Sequence, residues 1–371
     1  MSRSNQSLLI ACRPTPTTAT QLVNFQFRLA ATHARVSYPQ QSTVTSSLLR
    51  TKFREQQQFI ARNAKAAWLA HVVARVSPTL KHTDGSPLGM LGFFAATPDT
   101  AAAQTVLNAG CQWLQHRGCR QIIGPIDGDT WHSYRFNNGP HDQPPFLGEP
   151  TNPAYYPLLW TEVGFSVVDR YHSKCLADID SVISQTQSGY DRALAAGYTF
   201  RPFSLAHFER ELQTIYRLSI VTFRDNFLYD EISYQEFTGL YREAKRWMQP
   251  DLVWFALDAS EKEIGFLFCI PDFGPAVAAM HGRKHGWAKF RFWWQARKLT
   301  AVNFKSIGVL PEHRQTAVAA GMMHCGYVAS RARGYRRANL CLIRDGNPST
   351  RLDGGGGQIL RRYGLYSRLM E

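Results

Sequence analysis

The chain has 371 residues, 44% hydrophobic and 19% charged, which excludes a disordered polypeptide and leaves room for two cores rather than one. Lys and Arg total 42 against 28 Asp and Glu; the net charge of +14 draws polyanions, whether cofactor phosphates, nucleic acid or an anionic lipid surface. No apolar run approaches the roughly 18–20 residues of a membrane span, and Met1 to Ile10 lacks the build of a signal peptide, so a cytoplasmic location is expected.

In chain order, Leu8 to Cys12 reads as a short strand, residues 17–36 as a helix, and the polar stretch Thr51 to Ala67 as helix-prone. Trp68 to Val76 and Leu88 to Ala95 are strand-like around a turn at Asp84 to Pro87. Asp99 opens a helix whose apolar positions (Ala103, Val106, Leu107, Cys111, Leu114) follow the 3.6-residue period, and Gln121 to Ile123 is the next strand. The second half repeats this order. Helices are predicted at 205–223 and 233–248, strands at Leu252 to Leu257 and Ile264 to Ile270, and a strand at Ala301 to Leu310. A long helix follows over 315–333, then a strand at Arg336 to Ile343. A short helix opened by Asn347-Pro348 is broken at Gly354 to Gly357, and Ile359 to Leu369 is the final strand. A helix returning between neighbouring strands implies parallel pairing within a mixed sheet. The expected fold is α/β, an α+β mixed sheet, in two domains over residues 1–180 and 181–371 that meet at a polar stretch, 176–198.

Seven cysteines, Cys12, Cys111, Cys119, Cys175, Cys269, Cys325 and Cys341, contain no CxxC and are widely spaced, so they are expected to be free thiols, with no metal site.

The segment with the most chemistry runs from Ile307 to Met323: an apolar strand, Pro311, a tight turn and a helix of small residues. The first-turn amides of such a helix lack internal partners and carry the positive end of its dipole, which makes an anion site. Here the chain resembles the GNAT acyltransferase superfamily, whose acyl-CoA motif, Arg/Gln-x-x-Gly-x-Gly/Ala, is matched by Arg314-Gln-Thr-Ala317-Val-Ala319. Ala317 stands where that family usually has Gly and narrows the phosphate approach. A resemblance to little-characterised tandem GNAT-like bacterial proteins covers nearly the whole chain. It is carried by Gly124-Pro-Ile-Asp-Gly-Asp-Thr-Trp131 to Phe136, Pro144 to Tyr156, Phe223-Arg-Asp-Asn226, Asp345-Gly-Asn347-Pro and Gly356 to Tyr366.

The resemblance implies two tandem GNAT-like domains and transfer of an acyl group from acyl-CoA or acetyl-CoA to the amine of a small molecule or amino acid. The donor would lie on Val309, Arg314, Gln315, Thr316, Ala317, Val318, Ala319 and Asn347, the last equally readable as a helix cap. Tyr363, or Tyr366 if the register slips, would be the general acid, and Asp272, Glu312 or Asp345 the base. The first half lacks the phosphate motif, and Asp99 would repel a diphosphate. Its Trp131, Tyr134, Arg135, Asn137 and Glu149, with Asn226 of the second half, would line an acceptor pocket or pin a long loop.

Residues 281–305 hold seven Lys and Arg, no acid, and Trp287, Phe290, Phe292, Trp293 and Trp294. That composition suits RNA, an anionic membrane surface, or a helix packing its rings on the core. Tandem GNAT folds that take aminoacyl-tRNA as donor are similar in pairing one imperfect CoA loop with a basic surface, so tRNA binding through 281–305 is the alternative to acyl-CoA. A non-catalytic binding protein on the same scaffold is the third reading.

Overall fold

The computed structural model describes residues 7–33, 36–242, 245, 247–353 and 355–370. Two compact units emerge: Met1–Arg170 with Ala276–Phe292 and Arg361–Glu371, and Tyr171–Pro275 with Trp293–Leu360. They differ from a simple division at 180/181, because the last strand of the chain is shared out: Arg361 onward belongs to the first unit.

In the first unit, β1 (Leu8–Cys12), β2 (Gln56–Arg62), β3 (Trp68–Lys81) and β4 (Pro87–Ala96) pair antiparallel in that order. The ladder continues parallel to β5 (Gln121–Gly124) and antiparallel to the C-terminal strand β13 (Gln358–Leu369), which also pairs β6 (Phe136–Gly139). The helix-prone residues 51–67 thus contain β2. Polar side chains there favour helix, but Phe59, Ile60 and Ala61 are buried between two partner strands, and that tertiary burial decides. Helix α1 (Pro16–Thr32) begins at a capping box on Thr15 and buries Leu22, Phe25 and Leu29 in one core cluster. After α2 (Gln41–Leu48), the crossover helix α3 (Thr100–Gln115) buries Val106, Leu107, Cys111 and Leu114 in another. Helix α4 (Tyr156–Thr161) adds Trp160 to that second cluster.

In the second unit the order is β7 (Ser166–Leu176, of which Tyr171 onward belongs here), β12 (Arg337–Arg344), β11 (Ala301–Val309), β10 (Glu263–Pro271), β9 (Val253–Leu257) and β8 (Thr199–Pro202). Among the described residues of this unit only β11 and β12 run parallel, joined by α10 (Val318–Ala332). The polar stretch 176–198, expected to hold the domain boundary, contains helix α5 (Ile179–Ala195). Asp178 caps it, and Ile179, Val182, Thr186, Gly189 and Ala193 form a buried stripe that its polar remainder conceals. Helices α6 (Phe208–Thr222) and α7 (Tyr234–Tyr241) belong to this unit, whereas α8 (Gly274–Ala278) and α9 (Gly286–Ala296) span the divisions at 275/276 and 292/293. Helix α7 is shorter than the predicted 233–248, part of which lies outside the described residues, as does Gly354.

All seven cysteines are free. Among the described residues no cluster of His, Cys, Asp and Glu could hold a metal ion, and no helix is long and apolar enough to cross a membrane.

Candidate functional site

The parallel ladder of the second unit is short. It runs from Ala301↔Arg337 to Phe304↔Leu340 and stops, although both strands continue. β11 goes on to Val309 against β10, and its register slips at Lys305, which is left without an opposite residue. β12, paired with β7 from Ala338 onward, shifts register against it after Leu340: Leu342 takes φ 59°, its N–H donates to Ser173 Oγ at 2.9 Å, and Ile343 and Arg344 pair with His172 and Tyr171. The two strands therefore fork after Phe304 and Leu340.

Helix α10 starts beyond the open end of β11. Its first residue, Val318, follows an N-cap, Ala317, whose side chain offers no acceptor, and the first intrahelical bond is Gly321 N–H to Ala317 O at 2.9 Å. The Ala319 and Ala320 amides thus precede the helix ladder. Thr316 contributes only a 3.3 Å contact with the Val318 N–H. The small residues of this helix have a second use. A Cβ on Gly189 of α5 would lie 2.8 Å from the Ala320 Cβ, and one on Gly321 2.3 Å from Phe200, so part of the small-residue run is explained by close packing. Thr222, at the end of α6, is buried; its Oγ1 lacks a hydrogen-bond partner among the described residues and stands 2.7 Å from where a Cβ on Gly308 would be.

Other donor-loop residues from the sequence sit as follows. Val309 is buried; Gln315 and Thr316 are exposed. Arg314, also exposed, bonds back onto the chain, Nε donating to Val309 O (3.2 Å) and Nη2 to Thr222 O (2.8 Å), so it braces the loop against the end of α6. Asn347 caps the 3-10 turn Pro348–Arg351 by accepting from the Ser349 N–H, which is the capping role anticipated for Asn before Pro. Asn226 lies exposed in the turn after α6, and Glu312 is exposed in the turn before α10.

Among the proposed bases, Asp272 is buried at the end of β10. Its Oδ1 accepts from Gly274 N–H and Asn303 Nδ2, both 3.1 Å, and Asn303 Oδ1 accepts from Asn339 Nδ2 at 2.8 Å, forming a polar rail across three strands. Asp345 is exposed, and its Oδ1 lies 2.6 Å from Nδ1 of His172, which is buried on β7. A carboxylate on Nδ1 fixes the imidazole so that Nε2 is left as a proton acceptor. The sequence reading missed His172: Tyr-His-Ser on a strand is no motif, and only the pairing of β7 with β12 brings it to Asp345.

The first-half residues gather elsewhere. Tyr363, proposed as the acid, falls in the first unit; it is buried and donates its hydroxyl to Glu149 Oε1. Tyr366 donates to Asn138 Oδ1 at 3.1 Å in the same unit. Glu149 Oε2 accepts from Phe146 N–H at 3.0 Å, and Arg361, fully buried, lies 3.0 Å from Glu149 Oε1 and donates to Gln143 O and Pro144 O. Asn137 exchanges backbone and amide bonds with Asn152 (2.7 and 3.2 Å). The Arg135 guanidinium, on a residue at φ 68°, covers the Tyr134 ring at 3.9 Å, and Trp131 N–H donates to Asp129 Oδ1 at 3.1 Å. Glu149 and Asn137 therefore spend these polar atoms holding the 137–153 loop.

The first unit has the corresponding fork, but it is filled. The β4–β5 ladder ends at Met90↔Ile123, after which Ile126 N–H donates to Leu91 O (2.9 Å) and Phe93 N–H to Asp127 Oδ1 (2.6 Å). A Cβ on Gly92 would sit 2.1 Å from Ile126 O. Burial pushes the Asp127 carboxyl up to about 6, against the lowering effect of the Phe93 N–H and Arg75. Beside it Asp129 is buried with Arg50 (2.5 Å), His132 (2.6 Å) and Lys52 (2.9 Å); burial alone would raise it, but His132 and Lys52 hold it well below the carboxylate range. On α3 the Asp99 side chain accepts from Ala102 N–H at 3.0 Å, so a carboxylate already occupies the first turn.

No protein-family model and no curated protein matches the chain by sequence. By structure it is similar to the tandem GNAT protein from the clavulanic acid biosynthesis pathway, with a TM-score of 0.53 and 10% identity over 98% of each chain. A GCN5-related glucosamine N-acetyltransferase region of a fungal multi-domain GH3 β-N-acetylglucosaminidase gives 0.54 and 14% over 98% of this chain, which spans 38% of the fungal protein's length. A conserved Enterococcus faecalis V583 protein of unknown function, described as a probable N-acyltransferase, gives 0.53 and 9%, over 98% of this chain and 73% of that one. At such identities the likeness establishes architecture, and that architecture is a tandem GNAT fold.

Proposed function

We propose that the chain is an N-acyltransferase that takes an acyl group from acyl-CoA and passes it to the amine of a small molecule or amino acid, with its donor site in the second unit. The observation that carries this reading is the fork between β11 and β12 beside an uncapped α10. The residues fit the donor: the Ala319 and Ala320 amides for the diphosphate, where the helix dipole favours negative charge, and the fork edge with the orphaned Thr222 hydroxyl for the amide-bearing arm.

His172 is proposed as the general base in place of a lone carboxylate, with Asp345 orienting it. Nε2 would take the proton of the attacking amine as its nitrogen bonds to the acyl carbon; the carbon–sulfur bond breaks and the thiolate leaves, to be reprotonated. Arg314 is assigned to positioning, because its hydrogen bonds tie the donor loop to the end of α6.

The test is thermal denaturation with and without CoA, together with thiol release from acetyl-CoA in a panel of amines. Stabilisation by CoA and amine-dependent thiol release are expected. Activity that needs charged tRNA and is destroyed by RNase would move the donor to aminoacyl-tRNA. Binding without turnover of either donor would leave a binding protein on this scaffold.

A further inference from the structure

Helix α9 turns Ala288 and Phe292 inward, 2% and 7% exposed, and leaves Trp287, Phe290, Trp293 and Trp294 at 73%, 56%, 57% and 53%. At 3.6 residues per turn these four rings fall within an arc of about 120°, with Lys289 and Arg291 on its two flanks. Isolated exposed aromatics are ordinary on a protein surface; four on one short helix are not.

The loop before α9 forms a cavity of about 740 Å³ with α1, within the first unit. Phe27, Tyr38, Trp287, His285, Arg283 and Arg291 line it, joining apolar walls to two guanidinium groups. Gly282 fixes this loop: it has φ +71°, and a Cβ there would lie 2.5 Å from the Phe27 ring and 2.9 Å from Tyr38.

Charge and shape together choose the partner. Residues 281–305 carry seven Lys and Arg and no acid. A single-strand surface alternates rings and cations along a groove. Here the rings form one contiguous outward ridge and the cations stand at its margins, where long side chains reach headgroups while the rings enter the acyl boundary.

We propose that α9 docks the chain on an anionic phospholipid surface, with Trp287 and Phe290 in the acyl boundary and Arg283 and Arg291 taking a headgroup phosphate in the cavity. This site shares no residue with the α10 donor loop, so its failure leaves the acyltransferase reading untouched.

The experiment is co-sedimentation of the full chain with vesicles of phosphatidylcholine alone or mixed with phosphatidylglycerol, with Trp emission recorded. Binding to the anionic vesicles and a blue shift are expected. The Trp287→Ser/Phe290→Ser variant should lose about tenfold or more in partitioning, in line with the apolar area withdrawn, and Arg283→Glu/Arg291→Glu should lose the preference for anionic lipid, both at unchanged melting temperature. Equal binding by both variants, no vesicle binding at all, or RNA binding abolished by the same substitutions without vesicle binding would each overturn the proposal.

Discussion

The two forks of this molecule start from the same topology and end as different things. In the first unit the gap beyond Met90 and Ile123 is stitched by Ile126, Asp127 and the glycine at 92, and Asp99 covers the helix that follows. In the second unit the β11–β12 ladder ends at Leu340 while β12 stays paired with β7, and the helix start is uncapped. A repeated fold thus leaves one helix start uncapped and the other fork closed by polar contacts, and the difference lies in those few contacts rather than in the strand order.

The comparison breaks most visibly in kinetics. If the open fork is the working one, His172→Ala should lower kcat by about 10²- to 10⁴-fold, the usual worth of a general base, with partial rescue by added imidazole. Asp345→Asn should cost about tenfold, since it disturbs only the orientation of the ring. Steady-state thiol release with each variant checks both. Wild-type rates in His172→Ala would remove the base from the second unit.

The closed fork should instead respond in stability. His71 is buried between Phe93 O (2.8 Å) and Gln58 Oε1 (3.2 Å), and burial lowers it to about 4. Between pH 6.5 and 4 the unfolded chain therefore binds a proton that the folded chain does not, and stability falls on acidification by up to about 3 kcal/mol. Asp127, raised to about 6, has the opposite sign: between about 4 and 6 the folded chain binds the extra proton, and stability rises on acidification. The two contributions offset each other below pH 6. Asp127→Asn should unmask the His71 slope, so that hydrogen exchange of β3 and β4 amides speeds up steeply on going from pH 6.5 to 4.5, relative to intrinsic rates. An unchanged slope in this variant would mean that the fork is not the buried polar core described.

How much of this was legible beforehand follows from the range of each signal. The strand–Pro–helix around Arg314 and the Asn347 cap are local patterns, and both took the conformations read from them. Helix α5 was hidden because its stripe is narrow and its surface polar, and β2 because its glutamines favour helix until two neighbours bury the strand. The His172–Asp345 pair joins residues 173 positions apart and has no local trace. Tyr363 was placed by its position near the chain end, whereas the compact units assign that end to the first unit.

The smallest effects give the sharpest control, because they exchange the chemistry of the two helix starts. Ala319→Asp puts a carboxylate into the first turn of α10, where the dipole should stabilise the helix by about 0.3–1 kcal/mol while opposing a diphosphate. CoA affinity should fall about tenfold, near 1.4 kcal/mol, with the melting temperature of the free chain unchanged or slightly raised. Loss of binding without loss of fold would separate a donor site from a packing defect. The mirror variant, Asp99→Ser, retains a capping oxygen on α3 and should change stability by less than about 0.5 kcal/mol. It removes the charge from the first unit's helix but leaves Asp127 and Ile126 across the fork, so it should not create a second CoA site by calorimetry. A second equivalent appearing in Asp99→Ser would show that one carboxylate, and not the stitched backbone, was all that kept the first unit from binding a donor.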